Sequence, residues 1–92
     1  MTFSEAKNDK EKLKQAIKEK WQVLLETDDE INDEISFFDI GGNSLTAGIV
    51  FSDIEAQLGV KIPISDAYDY ESIELLANHI LELTQKSEQT VG

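Results

Sequence analysis

Side chains able to do chemistry are few in this chain. It holds no cysteine and a single histidine, His79, so thiolate chemistry, disulfides and cysteine-bearing metal sites are excluded. The serine that stands out is Ser44, which follows a double glycine in the run Phe37-Phe38-Asp39-Ile40-Gly41-Gly42-Asn43-Ser44-Leu45. A serine nucleophile needs a base and an acid to orient that base, and His79 is the only histidine on offer. The run also lacks the glycine-x-serine-x-glycine elbow of hydrolases and the Gly-Lys-Ser/Thr ending of phosphate-binding loops. In the acidic stretch, Asp28, Glu30 and Asn32 fall at calcium-loop positions 1, 3 and 5, but Asp33 and Asp39 stand where a glycine and a bidentate glutamate are required. No catalytic residue and no metal ligand is assigned, and the chain is not expected to be an enzyme.

Ser44 has a different use. Two glycines before it let the backbone turn and let another molecule approach closely. If a helix starts there, a phosphate esterified to the hydroxyl faces the positive end of the helix dipole and free backbone N–H groups. Two readings stay open at this point. Ser44 receives a phosphate-linked group from another enzyme, or it is an ordinary helix cap.

The elements that must position it follow from periodicity. Asn8 and Glu11 fit a capping box, and Leu13, Ala16, Ile17, Trp21 and Leu24 then recur on one face of a helix over roughly 9 to 26. Residues 27 to 43 form a long connection whose Ile31, Ile35, Phe37, Phe38 and Ile40 can pin it over the core. A second helix runs from about Ser44 to Leu58 and stops at Gly59. Its Ala47, Val50, Phe51, Ile54 and Leu58 make a core stripe, while Leu45, Ile49 and Ala56 fall on the opposite face with Ser52 between them. That second apolar face suits partner docking, with Asp53 and Glu55 further along.

Val60-Lys61-Ile62-Pro63-Ile64 is an extended connector, since proline interrupts it and no partner strand is evident. Ser65 caps a short turn of helix through Tyr70, and Ser72 caps a last helix carrying Ile73, Leu76, Ala77 and Ile80. The expected fold is all-α: a small bundle of three long helices and one short one, with a flexible N-terminus at 1–8, a single domain at 9–85 and a flexible tail at 86–92.

Charge narrows the partners. The formal net charge is −11, the chain has no arginine, and residues 21 to 85 carry fourteen acids against Lys61 alone. Nucleic acid is excluded as a partner because phosphate contacts need clustered cations. The sequence shows no apolar run long enough for a membrane span and no signal-peptide core, so a soluble, cytoplasmic monomer is expected.

The motif at 37–45, with Ser36 before it, the Val60–Ile64 connector and Ile73-Glu74-Leu75-Leu76-Ala77 opening the last helix, resembles the thiolation domains of nonribosomal peptide synthesis. These peptidyl carrier proteins belong with the acyl carrier proteins. The resemblance extends from Trp21 to about Leu83. It implies an acyl-carrier-protein-like bundle in which Ser44 bears 4′-phosphopantetheine, with Gly41, Gly42 and Asn43 as the access loop. It further implies that a phosphopantetheinyl transferase installs the arm. An adenylating or acyl-loading enzyme charges the arm's thiol, and condensation, ketosynthase or thioesterase-type enzymes take the cargo. Leu45, Ile49, Ser52 and Asp53 are the expected partner-binding residues. Alternatives are an acyl carrier of fatty-acid or polyketide synthesis, or a non-catalytic helical adaptor in which Ser44 is only a cap. Asn43 departs from the Asp or His common in the family, Asp69-Tyr70-Glu71-Ser72 lacks a usual proline, and the strong acidity is more typical of fatty-acid and polyketide carriers.

Overall fold

A computed structural model describes residues 1–89 and, among them, contains helices and no strand. The elements are α1 (Lys10–Leu24), a 3-10 turn (Phe37–Ile40), α2 (Ser44–Leu58), α3 (Asp66–Asp69) and α4 (Ile73–Gln89). The bundle is built on α1, which packs against both α4 and α2. Leu13, Ala16, Ile17 and Trp21 of α1 meet Ala47, Val50, Phe51 and Ile54 of α2 and Ile73, Leu76, Ala77 and Ile80 of α4 in one buried core. These are the stripes that 3.6-residue periodicity predicts.

Local chemistry sets the boundaries. The cap of α1 is Asp9, whose carboxylate accepts the Lys12 N–H at 3.1 Å, and not Asn8. Asn8 instead takes a left-handed φ of 66°, a conformation that asparagine tolerates better than most residues. Gly59 ends α2 at φ 70° as expected of a left-handed C-cap. Ser65 precedes α3 but makes no side-chain cap bond, whereas the Ser72 hydroxyl accepts the Leu75 N–H at 3.2 Å.

The two ends differ from the sequence expectation. Residues 1–8, expected to be flexible, form turns that bury Phe3 and Ala6 in the core, and the Ser4 hydroxyl donates to the Gln57 carbonyl at 3.2 Å. Two apolar side chains without a period carry no helical signature, yet they suffice to fill the gap beside α1 and α2. At the other end α4 continues to Gln89, past the boundary expected at 85, and the rest of the expected tail, residues 90–92, lies outside the described residues.

The connection between α1 and α2 is tied down at mid-length. The Phe37 N–H donates to the Glu71 carbonyl at 2.7 Å, and the Glu74 N–H donates to the Asp33 carbonyl at 2.9 Å, so the connection is stitched to the corner between α3 and α4. Ion pairs reinforce it. Lys14 reaches Asp33 at 2.7 Å and Glu74 at 3.2 Å, Lys10 pairs with Glu74, and Lys18 pairs with Glu30 at 2.6 Å. Glu30, weighed above as a calcium ligand, and Asp33, which stood at the glycine position of that comparison, are thus occupied by lysines of α1. Those lysines hold the Glu74 carboxyl below the ordinary carboxylate value, Lys10 most strongly and Lys14 next.

Candidate functional site

The site begins under the double glycine. Phe37 is buried at 3% exposure, with its ring centroid 4.7 Å from that of Trp21 in α1. The Gly42 backbone rests directly on this ring, since a Cβ at that position would come within 2.3 Å of Phe37 Cδ2 and Cε2. Gly41, at φ 109°, ends the 3-10 turn in the left-handed region and donates its N–H to the Phe37 carbonyl. Each glycine therefore answers to a demand of the fold: Gly41 to backbone conformation, Gly42 to close packing. Sequence reasoning credited both alike with a turn and with access, and did not tell their two jobs apart.

The two glycines deliver the chain to Asn43 in an extended conformation, and Asn43 is the N-cap of α2. Its side-chain oxygen accepts the Thr46 N–H at 3.0 Å, while the Thr46 hydroxyl accepts the Asn43 N–H at 2.9 Å. This closed capping box overturns the reading of Ser44 as the cap. Ser44 is the first helical residue, one position beyond the cap, and it is exposed. Among the described residues, neither its hydroxyl nor the N–H groups of Ser44 and Leu45 make a hydrogen bond. The first turn of α2 also contains no acid, unlike those of α1, α3 and α4. Asn43, unexplained from sequence, thus caps the helix without adding a negative charge beside Ser44.

An approachable hydroxyl next to two unpaired amides, at the positive end of a fifteen-residue helix, fits a phosphodiester. Among the described residues no base is hydrogen-bonded to it. His79 lies in the seam between α3 and α4, with Nε2 2.9 Å from an Asp66 carboxylate oxygen and its ring stacked on Tyr70 at 3.8 Å. Only 11% of its side chain is exposed, and its role is to hold α3 to α4.

Around Ser44 the surface is apolar. An open depression is lined by Ser44, Leu45, Gly48, Ile49, Ser52 and Ile64. Leu45 is 75% exposed and Ile49 44% exposed, as expected of a face turned away from the core. The structure brings Ser52 to the same depression but not Asp53, which pairs with Lys20 of α1 at 3.4 Å and accepts from Gln57 at 2.9 Å. Two residues of the depression escaped sequence reasoning. Ile64 was counted only as part of the connector, although the alternation Val60, Ile62, Ile64 turns the first two inward and leaves the third exposed. Gly48 was assigned no role. Exposed Tyr68 of α3 stacks on Phe38 at 5.2 Å, which fixes α3 to the 3-10 turn.

Comparison with known proteins gives a family and a fold. The family model described as phosphopantetheine attachment site matches residues 15–80. The chain is 33% identical over 76 residues, 83% of its length, to pyochelin synthetase PchE of Pseudomonas aeruginosa (strain UCBPP-PA14), of which it spans 5%. It is 39% identical over 57 residues, 62% of its length, to nonribosomal peptide synthetase penN of Penicillium thymicola, of which it spans 2%. The NMR structure of the HMG-ACPI domain from the CurA module of Lyngbya majuscula superposes with a TM-score of 0.76 at 22% identity, covering 88% of this chain and 84% of that one. That last likeness speaks to the fold, an acyl-carrier-type helical bundle.

Proposed function

Because the chain belongs to the phosphopantetheine attachment-site family, we propose that Ser44 is the residue that takes the arm and that the domain serves as a carrier in nonribosomal peptide synthesis. The observation that carries this reading is the separation of two jobs that often fall to one residue. Asn43 and Thr46 complete the capping of α2, which leaves the neighbouring Ser44 hydroxyl exposed and unbonded.

The arm supplies a terminal thiol on which an aminoacyl, peptidyl or acyl cargo rides as a thioester. The chain's own residues do the rest. Phe37 and Gly42 set the height of the loop above the core, Asn43 fixes the start of α2, and the free Ser44 and Leu45 amides stabilise the phosphodiester charge. A separate phosphopantetheinyl transferase supplies the base that removes the Ser44 proton, since among the described residues none is hydrogen-bonded to that hydroxyl. Leu45 and Ile49 face outward beside Ser44 and form the surface on which loading and condensing enzymes dock in turn. The acidity of residues 21 to 85 favours partners with basic rims. Likeness to the two synthetases supports the peptide pathway over fatty-acid synthesis. Among the described residues no helix is long and apolar enough to cross a membrane.

Incubation with coenzyme A and a broad-specificity transferase, followed by intact-mass spectrometry, tests the assignment. A gain of one phosphopantetheine that Ser44→Ala abolishes is the expected result. No gain with several such transferases refutes it.

A further inference from the structure

The glycines of this chain are not alike. Gly41 and Gly59 occupy left-handed backbone, and Gly42 is held to zero side-chain volume by the Phe37 ring. Gly48 answers to no such demand. It lies in the interior of α2, its φ is not positive, and a Cβ there would meet only Ile64 Cδ1, at an ordinary 3.8 Å. Glycine inside a helix is destabilising relative to alanine, and the fold gives nothing in return for it at this position.

What the missing side chain leaves is space in the surface beside Ser44. Gly48 sits one helical turn after Ser44 and one before Ser52, at the bottom of the depression whose apolar sides are Leu45, Ile49 and Ile64. The Ser52 hydroxyl, on the far side, is exposed and makes no hydrogen bond among the described residues. We propose that Gly48 keeps open a track along α2 in which the phosphopantetheine arm rests between partners. This rests on Ser44 being the attachment residue. The arm is the occupant the structure favours because it would be tethered at the head of this same depression. A short tether holds its local concentration at roughly millimolar or above, so weak apolar contacts are enough to populate the track. The lining also matches the arm's chemistry, with hydrocarbon sides for its geminal methyls and a free hydroxyl for its amides. Gly48 is then a positioning residue. It sets how far the arm lies down on the carrier before a partner lifts it away.

The test compares apo and holo protein, with the mass gain confirmed first, by NMR of methyl-labelled Leu45, Ile49 and Ile64. Loading of the wild type is expected to shift the Ile49 and Ile64 methyl signals and to give cross-peaks between them and the arm. Gly48→Leu is expected to abolish those cross-peaks while the Ser44 amide still shifts. Should Gly48→Leu fold poorly, Gly48→Ala gives the same readout with a partial loss. Gly48→Ala is also expected to raise Tm by roughly 4 °C, as a helix glycine without a packing role should. Shifts confined to Ser44 and its immediate neighbours in the holo wild type overturn the proposal, as does a Tm that falls in Gly48→Ala. Absence of any mass gain is a different failure, because it removes the attachment reading itself.

Discussion

Gly42→Ala separates packing from access at the double glycine. The new Cβ would lie 2.3 Å from Phe37 Cδ2 and Cε2 and 2.7 Å from Cγ. Carbon atoms sit comfortably at about 3.5–4.0 Å, so ring and loop must part by roughly 1.2 Å or more. The ring has little room to retreat. Trp21 stands 4.7 Å behind it, and the Phe37 N–H is bonded to the Glu71 carbonyl at 2.7 Å. Backbone strain contributes nothing, since Gly42 is not in the left-handed region. The loss is therefore steric. Overpacking of this kind costs about 1–3 kcal/mol, and a domain this small loses about 4–8 °C of Tm for each kcal/mol. Thermal melts read by circular dichroism should place the variant at least about 4 °C below wild type, and near-ultraviolet spectra should show a disturbed Trp21. A melt within about 2 °C of wild type refutes the packing argument. If that same variant is also loaded poorly by the transferase, the glycine serves the approach of the enzyme instead.

Three further expectations follow from the site and its supports. Asn43→Ala should cost about 1 kcal/mol in urea unfolding through loss of the cap, whereas Ser44→Ala should stay within about 0.5 kcal/mol; equal losses would return the capping role to Ser44. Leu45→Asp and Ile49→Asp should weaken productive docking of a cognate loading enzyme about tenfold or more with little change in Tm, since both side chains are exposed; a collapsed melt would put them in the core. The Glu74 carboxyl is held below its ordinary value of 4.5 by Lys10 and Lys14, so on acidification the unfolded chain takes up its proton first. That share of stability is present above pH 4.5 and is lost as pH falls through the lower folded value. Glu74→Gln should flatten the acid limb of Tm against pH, and parallel curves for the two proteins would refute it.

Much of this was legible in the sequence, and the limits have physical causes. The stripes Leu13-Ala16-Ile17-Trp21 and Ala47-Val50-Phe51-Ile54 are properties of the local period, and both are buried where that period puts them. The outward turn of Leu45 and Ile49 follows from the same arithmetic. Asn43 was harder, because an asparagine and a serine in succession are both good caps and only the closed bond to Thr46 decides between them. That spacing, Asn-x-x-Thr, was present as a signal. Gly42 and Gly48 were not distinguishable at all. One is pressed against a ring five residues back and the other meets only Ile64 at an ordinary contact distance, and a sequence holds no record of what a missing side chain would have touched. Phe3 and Ala6 were illegible for a related reason, since burial of an aperiodic segment depends on a gap that other elements create.

The stitching of the long connection to the α3–α4 corner has a consequence for anyone who would move this site into another protein. The hydrogen bonds at Asp33 and Phe37 divide the connection into two parts with different freedom. The first, around Asp28 and Asp29, is exposed, and an inserted residue there lengthens a surface loop at little entropic cost. The second, from Phe37 to Asn43, is fixed at one end by a ring beneath its own backbone and at the other by a helix cap. A residue added there must break one anchor or the other. A transplant should therefore cut at the first part and carry residues 33 to 44 as one cassette, together with the Trp21 and Glu71 positions that receive it.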